Sequence, residues 1–224
     1  MKKILLSVAI FSVTSTALAE NSFSVEAAVG RTEQKTLQEG YDVGVAIGGR
    51  RADSTSSSFK IGYEFTDSWW LEFGYDDYGK GTLKTYNDSY SSSSSLRNIT
   101  ETASTSATLI TLKKEGAISD NLSAYARLGI ARWELDLESA YPDTSQKVNF
   151  TWNESGIGAY FGIGVYYQLT SNLQLSANYS FTQIRPDLFV KLKSISSSRA
   201  YNLPANSSYD GDIKNYSIGV AYKF

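Results

Sequence analysis

Eight stretches of the sequence switch, residue by residue, between a bulky apolar side chain and a small or charged one. The last, NYSIGVAYKF, puts Tyr216, Ile218, Val220, Tyr222 and Phe224 on one face and Ser217, Gly219, Ala221 and Lys223 on the other. Successive side chains of a β-strand point to opposite faces, so a sustained period of two reads as a strand with two unlike faces. The pattern recurs in FSVEAAVG from Phe23, FKIGYEF from Phe59, WWLEFGYD from Trp69, LSAYARLGI from Leu122, YFGIGVYY from Tyr160 and LQLSANYSF from Leu173. TLITLKKE is less regular: Thr108, Ile110 and Leu112 form its apolar face, and Thr111, Lys113 and Glu115 the other. An aromatic content of 13%, with 16 Tyr against 3 Pro, favours strands over helices.

The connections alternate as well. Thr66-Asp67-Ser68, Gly116 to Asn121 and Thr170-Ser171-Asn172 are short turns, whereas residues 32–57, 79–104, 138–154 and 186–212 are long and rich in Ser, Asn, Asp and Thr. Long and short connections in strict alternation predict an up-and-down meander of eight strands of about eight residues, with every long loop at one end. The fold class is therefore all-β, an eight-stranded antiparallel barrel, with no second domain.

The first 19 residues are excluded from that fold. Lys2 and Lys3 form a basic start, Ile4 to Val13 a short apolar run, and Ala17-Leu18-Ala19 a small-x-small site before Glu20. This is the pattern of a secretory signal peptide cleaved between Ala19 and Glu20, leaving residues 20–224 as the barrel domain. Removing it takes the formal charge from −2 to −4, and there is no basic run, so a nucleic-acid partner has no electrostatic footing. The chain has no Cys, which excludes disulfides and thiol lipidation.

A soluble barrel packs apolar residues inward; a membrane barrel inverts this. The minor faces carry Glu26, Lys60, Glu64, Glu72, Asp76, Lys113, Glu115, Arg127 and Lys223 among Gly, Ser and Ala, a mixture that suits a narrow interior of paired charges. Aromatics near the strand ends, Trp69, Tyr75, Tyr167, Tyr216 and Tyr222, suit the two membrane interfaces. A final strand paired on both sides would leave no open edge in lipid. Export, girdles and closure together predict a transmembrane barrel.

Several stretches then carry a specific resemblance. IGYEFTDSWWLEFGYDDYGKG (61–81) resembles the second hairpin of the OmpA-like transmembrane barrel family, and ISDNLSAYARLGIARW (118–133) its fifth strand. FGIGVYYQLTSNL (161–173) and SIGVAYKF (217–224) are similar to its sixth and eighth; the loops do not match. The resemblance implies a protein of the Gram-negative outer membrane, embedded in its lipid and lipopolysaccharide as a monomer. It implies that Tyr222 and Phe224 form the C-terminal signal read by the outer-membrane assembly machinery. It also implies that Glu72, Lys113 and Arg127 occupy the positions of the family's salt-bridged lumen, as a static plug or as a gate. The gate's other two partners, an acidic residue on strand seven and an arginine entering strand eight, correspond here to Asn178 and Asp210, so the plug is favoured. The chain resembles short, barrel-only members without the peptidoglycan-binding domain, including small proteins linked to attachment and colonisation.

The absence of His removes Ser-His-Asp and Cys-His catalysis and the common zinc sites, so the chain is expected to be no enzyme and to hold no cofactor. Asp76 and Asp77 are adjacent and point to opposite faces, so they cannot form a catalytic pair. Asp88, Asp143, Asp210 and Asp212 read as solvated loop charge. Two functions remain in view. The long loops, exposing Tyr, Ser and Asn, would contact a host surface or a phage; alternatively, the lumen cluster would gate a narrow ion or small-solute pore.

Overall fold

The structure is a computed structural model and describes residues 22–39, 50–84, 100–141, 148–185 and 208–224. The signal segment, with Ala19 and Glu20, and the low-complexity run at 89–96 lie outside the described residues. Eight strands follow one another: β1 (Phe23–Glu39), β2 (Arg50–Thr66), β3 (Trp69–Lys84), β4 (Thr100–Ser119), β5 (Leu122–Tyr141), β6 (Val148–Gln168), β7 (Leu173–Ile184) and β8 (Ser208–Lys223). Each pairs antiparallel with the next, and β8 closes on β1 into one barrel. Partner by partner, Ser24 leads to Gly62, Glu72, Thr111, Gly129, Tyr160, Thr182, Ile213 and back to β1 at Gln34, ten positions further along. With eight strands, that stagger inclines them about 40° to the barrel axis.

The two faces of the strands separate as the alternation requires. Phe73, Leu128, Ile157 and Ile218 are 57%, 63%, 74% and 68% exposed on the outside, while Glu72, Lys113 and Arg127 are at most 3% exposed inside. A continuous apolar exterior of this extent has no place in water. It is the lipid face of a transmembrane barrel, which removes the soluble alternative. Trp69, Tyr167 and Tyr222 stand at the short-turn edge of the apolar band, and Tyr75 and Tyr216 at its far edge.

The strands are longer than the periodicity suggests. They span 12 to 21 residues, and residues 32–39, 50–57, 79–84, 100–104, 138–141, 148–154 and 208–212 of the expected loops are barrel wall. The reason is visible on β5. Its outward positions run Ala126, Leu128, Ile130 and then Arg132, Glu134, Asp136, while its inward positions Ala131, Trp133 and Leu135 stay buried. Beyond the lipid the outer face becomes polar, and the hydrophobic alternation fades although backbone pairing continues. Arg31–Asp53 and Lys80–Glu138 are outward ion pairs, each at 2.8 Å, on these extensions. Asp210 and Asp212, expected in a loop, lie on β8; Asp88 and Asp143 lie outside the described residues.

The extension of β3 passes a bulge between Asp77 and Lys80. Gly79 sits there at φ +75°, and a Cβ would lie 2.1 Å from the carbonyl oxygen of Thr55. Only glycine fits that left-handed position against a neighbouring backbone. Asp76 and Tyr78 face inside and Asp77 outside by the ordinary alternation; past the bulge the phase switches, so Lys80 points outward and Gly81 inward.

Candidate functional site: the charged lumen

Three neighbouring strands bring the charges together. β3, β4 and β5 present Glu72, Lys113 and Arg127 inward at positions where lipid-facing neighbours alternate with them. Arg127 donates from Nε to Glu72 Oε2 at 2.7 Å and from Nη2 to Glu72 Oε1 at 3.2 Å. Lys113 Nζ lies 3.2 Å from Glu72 Oε1, and Thr111 Oγ1 donates to Glu72 Oε2 at 3.1 Å.

The other side of the barrel completes the cluster. Glu26 on β1 accepts from Arg127 Nη2, from the Tyr166 hydroxyl at 2.8 Å and from Asn178 Nδ2 at 3.1 Å. Arg127 Nη2 also donates to Tyr166 at 2.8 Å, and Nη1 to Asn178 Oδ1 at 3.2 Å. The Arg127 guanidinium lies 4.3 Å from the centre of the Tyr125 ring, and Lys113 Nζ 4.5 Å from that of Trp70. Two carboxylates and two cations cancel, and each carries hydrogen bonds besides its ion pair. That is the condition under which charge tolerates burial. Asn178 is a neutral bridge, accepting from the cation and donating to the anion.

A second pair lies further from the short turns. Lys60 Nζ is 2.8 Å from Asp76 Oδ1, and the Tyr78 hydroxyl is 2.7 Å from Thr182 Oγ1. Beyond it, Leu109, Trp133, Leu135, Tyr160, Ile184 and Ile213 pack with four alanines into an apolar layer. At the opposite mouth, Lys223 Nζ holds both oxygens of Glu115, at 3.0 and 3.1 Å. Among the described residues no group of three acidic side chains converges to hold a metal.

The comparisons agree with this geometry. The OmpA-like transmembrane domain matches residues 19–224. The chain belongs to that family. It is thus an outer-membrane β-barrel, and among solved structures it is similar to AlkL in lipid bilayers, at 14% identity and a TM-score of 0.53, over 96% of this chain and 95% of that one. OprG from Pseudomonas aeruginosa is similar at 12% identity and a TM-score of 0.50, over 91% and 95%. Ail of Yersinia pestis is matched at 14% identity and 0.44, over 92% and 100%. At these identities the likeness is one of fold. No curated protein matches the chain.

Sequence reasoning named the three OmpA-like lumen positions, paired them by alternating sign and singled out Asn178, but did not name Glu26 or Tyr166 as partners of Arg127. Glu26 and Asp76 were visible as inward charges, but nothing in their own strands says which cation they face. Tyr166 reads as one aromatic among many, and its hydroxyl sits between Arg127 and Glu26 only once β7 and β8 close the barrel from β6 onto β1. Tyr222 on β8 and Phe224 just past its end are both exposed, with rings 4.9 Å apart and the Phe224 N–H donating to the Phe23 carbonyl at 2.9 Å. The side chain of Asp210 lies outside the described residues.

Proposed function

We propose that this outer-membrane barrel is a non-enzymatic surface-attachment protein, a closed cylinder whose rim carries the contact-making segments. The observation behind this reading is the asymmetry of the two ends. β2–β3, β4–β5 and β6–β7 are joined by two to four residues, whereas the opposite rim carries segments 40–49, 85–99, 142–147 and 185–207. Loops mounted on a rigid scaffold are where recognition concentrates, and Tyr, Ser and Asn make adaptable polar contacts. Cells expressing a barrel with 85–99 and 186–207 cut to tight turns should adhere to epithelial surface or mucin as poorly as a deletion strain. Wild-type adherence in both strains would end the attachment reading.

In the same reading Glu72, Lys113 and Arg127 are a static plug. A neutral Asn178 where a gate would need an exchangeable carboxylate supports a plug over a switch. Planar-bilayer recordings should show no unitary current for the wild type and measurable steps for Glu72→Ala. Steps of equal size in both proteins would favour the narrow pore instead. Tyr222 and Phe224 serve as the assembly signal, with Phe224 also facing lipid. Phe224→Ala should lower the folded, heat-modifiable fraction in outer membranes several-fold while leaving refolding into pure lipid nearly unchanged. An equal loss in both settings would assign Phe224 to barrel stability alone.

A further inference from the structure

At the mouth with the short turns the lumen opens into a polar vestibule of about 280 Å³. Trp70 and Tyr166 line it from within the barrel, and Glu64, Glu115, Gln174 and Lys223 nearer the opening. Among the described residues, two buried polar atoms on its lining find no hydrogen-bond partner. They are the Trp70 indole Nε1–H, on a residue 1% exposed, and Gln174 Oε1, on a residue 6% exposed. The Tyr125 hydroxyl, Gln34 Nε2 and Trp133 Nε1 also lack a partner among the described residues, but none of them lines this cavity; here an open donor and an open acceptor share one space. The face of the Trp70 ring is already taken: Lys113 Nζ lies 4.5 Å and Lys223 Nζ 5.1 Å from its centre. What remains is the N–H edge.

The charge at the opening gives the ligand its sign. Glu115 is paired with Lys223 and accepts from Ser123 at 2.9 Å. Glu64 accepts the backbone N–H of Ser68 at 2.9 Å, and neither it nor Asp120 has an ion-pair partner among the described residues. We infer that the vestibule binds a small hydroxylated primary amine as its ammonium ion. The ammonium donates to Gln174 Oε1 and lies near the carboxylates of Glu64 and Asp120; a hydroxyl oxygen accepts from Trp70 Nε1–H. The volume sits just under the range of about 300–1,000 Å³ typical of drug-sized ligands, which restricts the occupant to about one sugar ring. A neutral sugar lacks the charge, and a bare alkylamine leaves the indole N–H open.

The test follows the indole itself. The chain has four Trp, so a ¹⁵N-labelled barrel in micelles gives four indole resonances, with Trp70 assigned by Trp70→Phe. Glucosamine is the probe and glucose the control. Glucosamine should shift the Trp70 resonance saturably, with glucose at least about tenfold weaker, because a charge-assisted hydrogen bond is lost. Gln174→Leu should weaken glucosamine roughly tenfold or more. Gln174→Glu, of the same shape with an added charge, should tighten it, and it serves if the leucine variant fails to fold. A Trp70 resonance that does not saturate would mean that the vestibule holds only water, and one that responds alike to both sugars would mean that the ammonium is not recognised; either result would overturn the proposal.

Discussion

Arg127→Leu will lower the unfolding free energy of the barrel by about 3–5 kcal/mol, the usual cost of removing one partner from a buried ion pair. Arg127 is the only cation in contact with Glu26 among the described residues, and it holds both oxygens of Glu72. Leucine fills part of the space but leaves Glu26 with only the Tyr166 and Asn178 donors and Glu72 with Lys113 and Thr111. The net charge of the cluster falls to −1. The double variant Arg127→Leu with Glu26→Gln restores neutrality and should recover about 1–3 kcal/mol, so the two changes will not add. Equilibrium unfolding in urea from lipid vesicles, followed by tryptophan fluorescence, measures both. Wild-type stability in the single variant would mean that water screens the cluster as well as the guanidinium does.

The legible part of the fold was whatever lipid forces on the sequence. At Phe59, Ile61, Tyr63 and Phe65, or at Leu128 and Ile130, the outward side chain has to be apolar and the inward one small or polar, so period and facing can be read directly. The charges of Lys113 and Arg127 opposite aliphatic neighbours fit a wet exterior as well as a wet lumen, so the sign of the inversion was legible only from the export signal, from aromatics such as Trp69 and Tyr222 at the strand ends, and from closure. Strand ends were not legible, since that constraint stops at the membrane boundary. Past Arg31 or Arg132 an outward residue can be polar in a strand or in a loop alike. Thus Trp133, Leu135, Ile184 and Ile213 were missed as inward positions, and with them the apolar layer above the charges. The cluster was half legible. Each strand displays its own charge, but the pairing of Arg127 with Glu26, 101 residues away, depends on closure and stagger that no local pattern records.

Leu128→Arg will destabilise the barrel in a bilayer by about 2–4 kcal/mol, the cost of a cationic side chain near the middle of the lipid face. The size of this effect follows from the solvent and from nothing inside the protein. Leu128 is 63% exposed and makes no polar contact, so in water the same change would fall within about 0.5 kcal/mol of zero. Its neighbours set its depth. On β5 it lies between Ala126 and Ile130, with Leu112 beside it on β4 and Phe161 on β6. Glu134→Arg, three outward positions further along the same strand, is the control. It stands past Arg132, where the outer face is already charged, and should cost about 0–1 kcal/mol. The two variants place the same new side chain on the same strand at two depths, so depth dominates their difference. A cost for Leu128→Arg no greater than for Glu134→Arg would place Leu128 in water and move the lipid band off the centre of β5. A cost in the expected range, vanishing for Glu134→Arg, would fix the outer membrane boundary between Leu128 and Glu134.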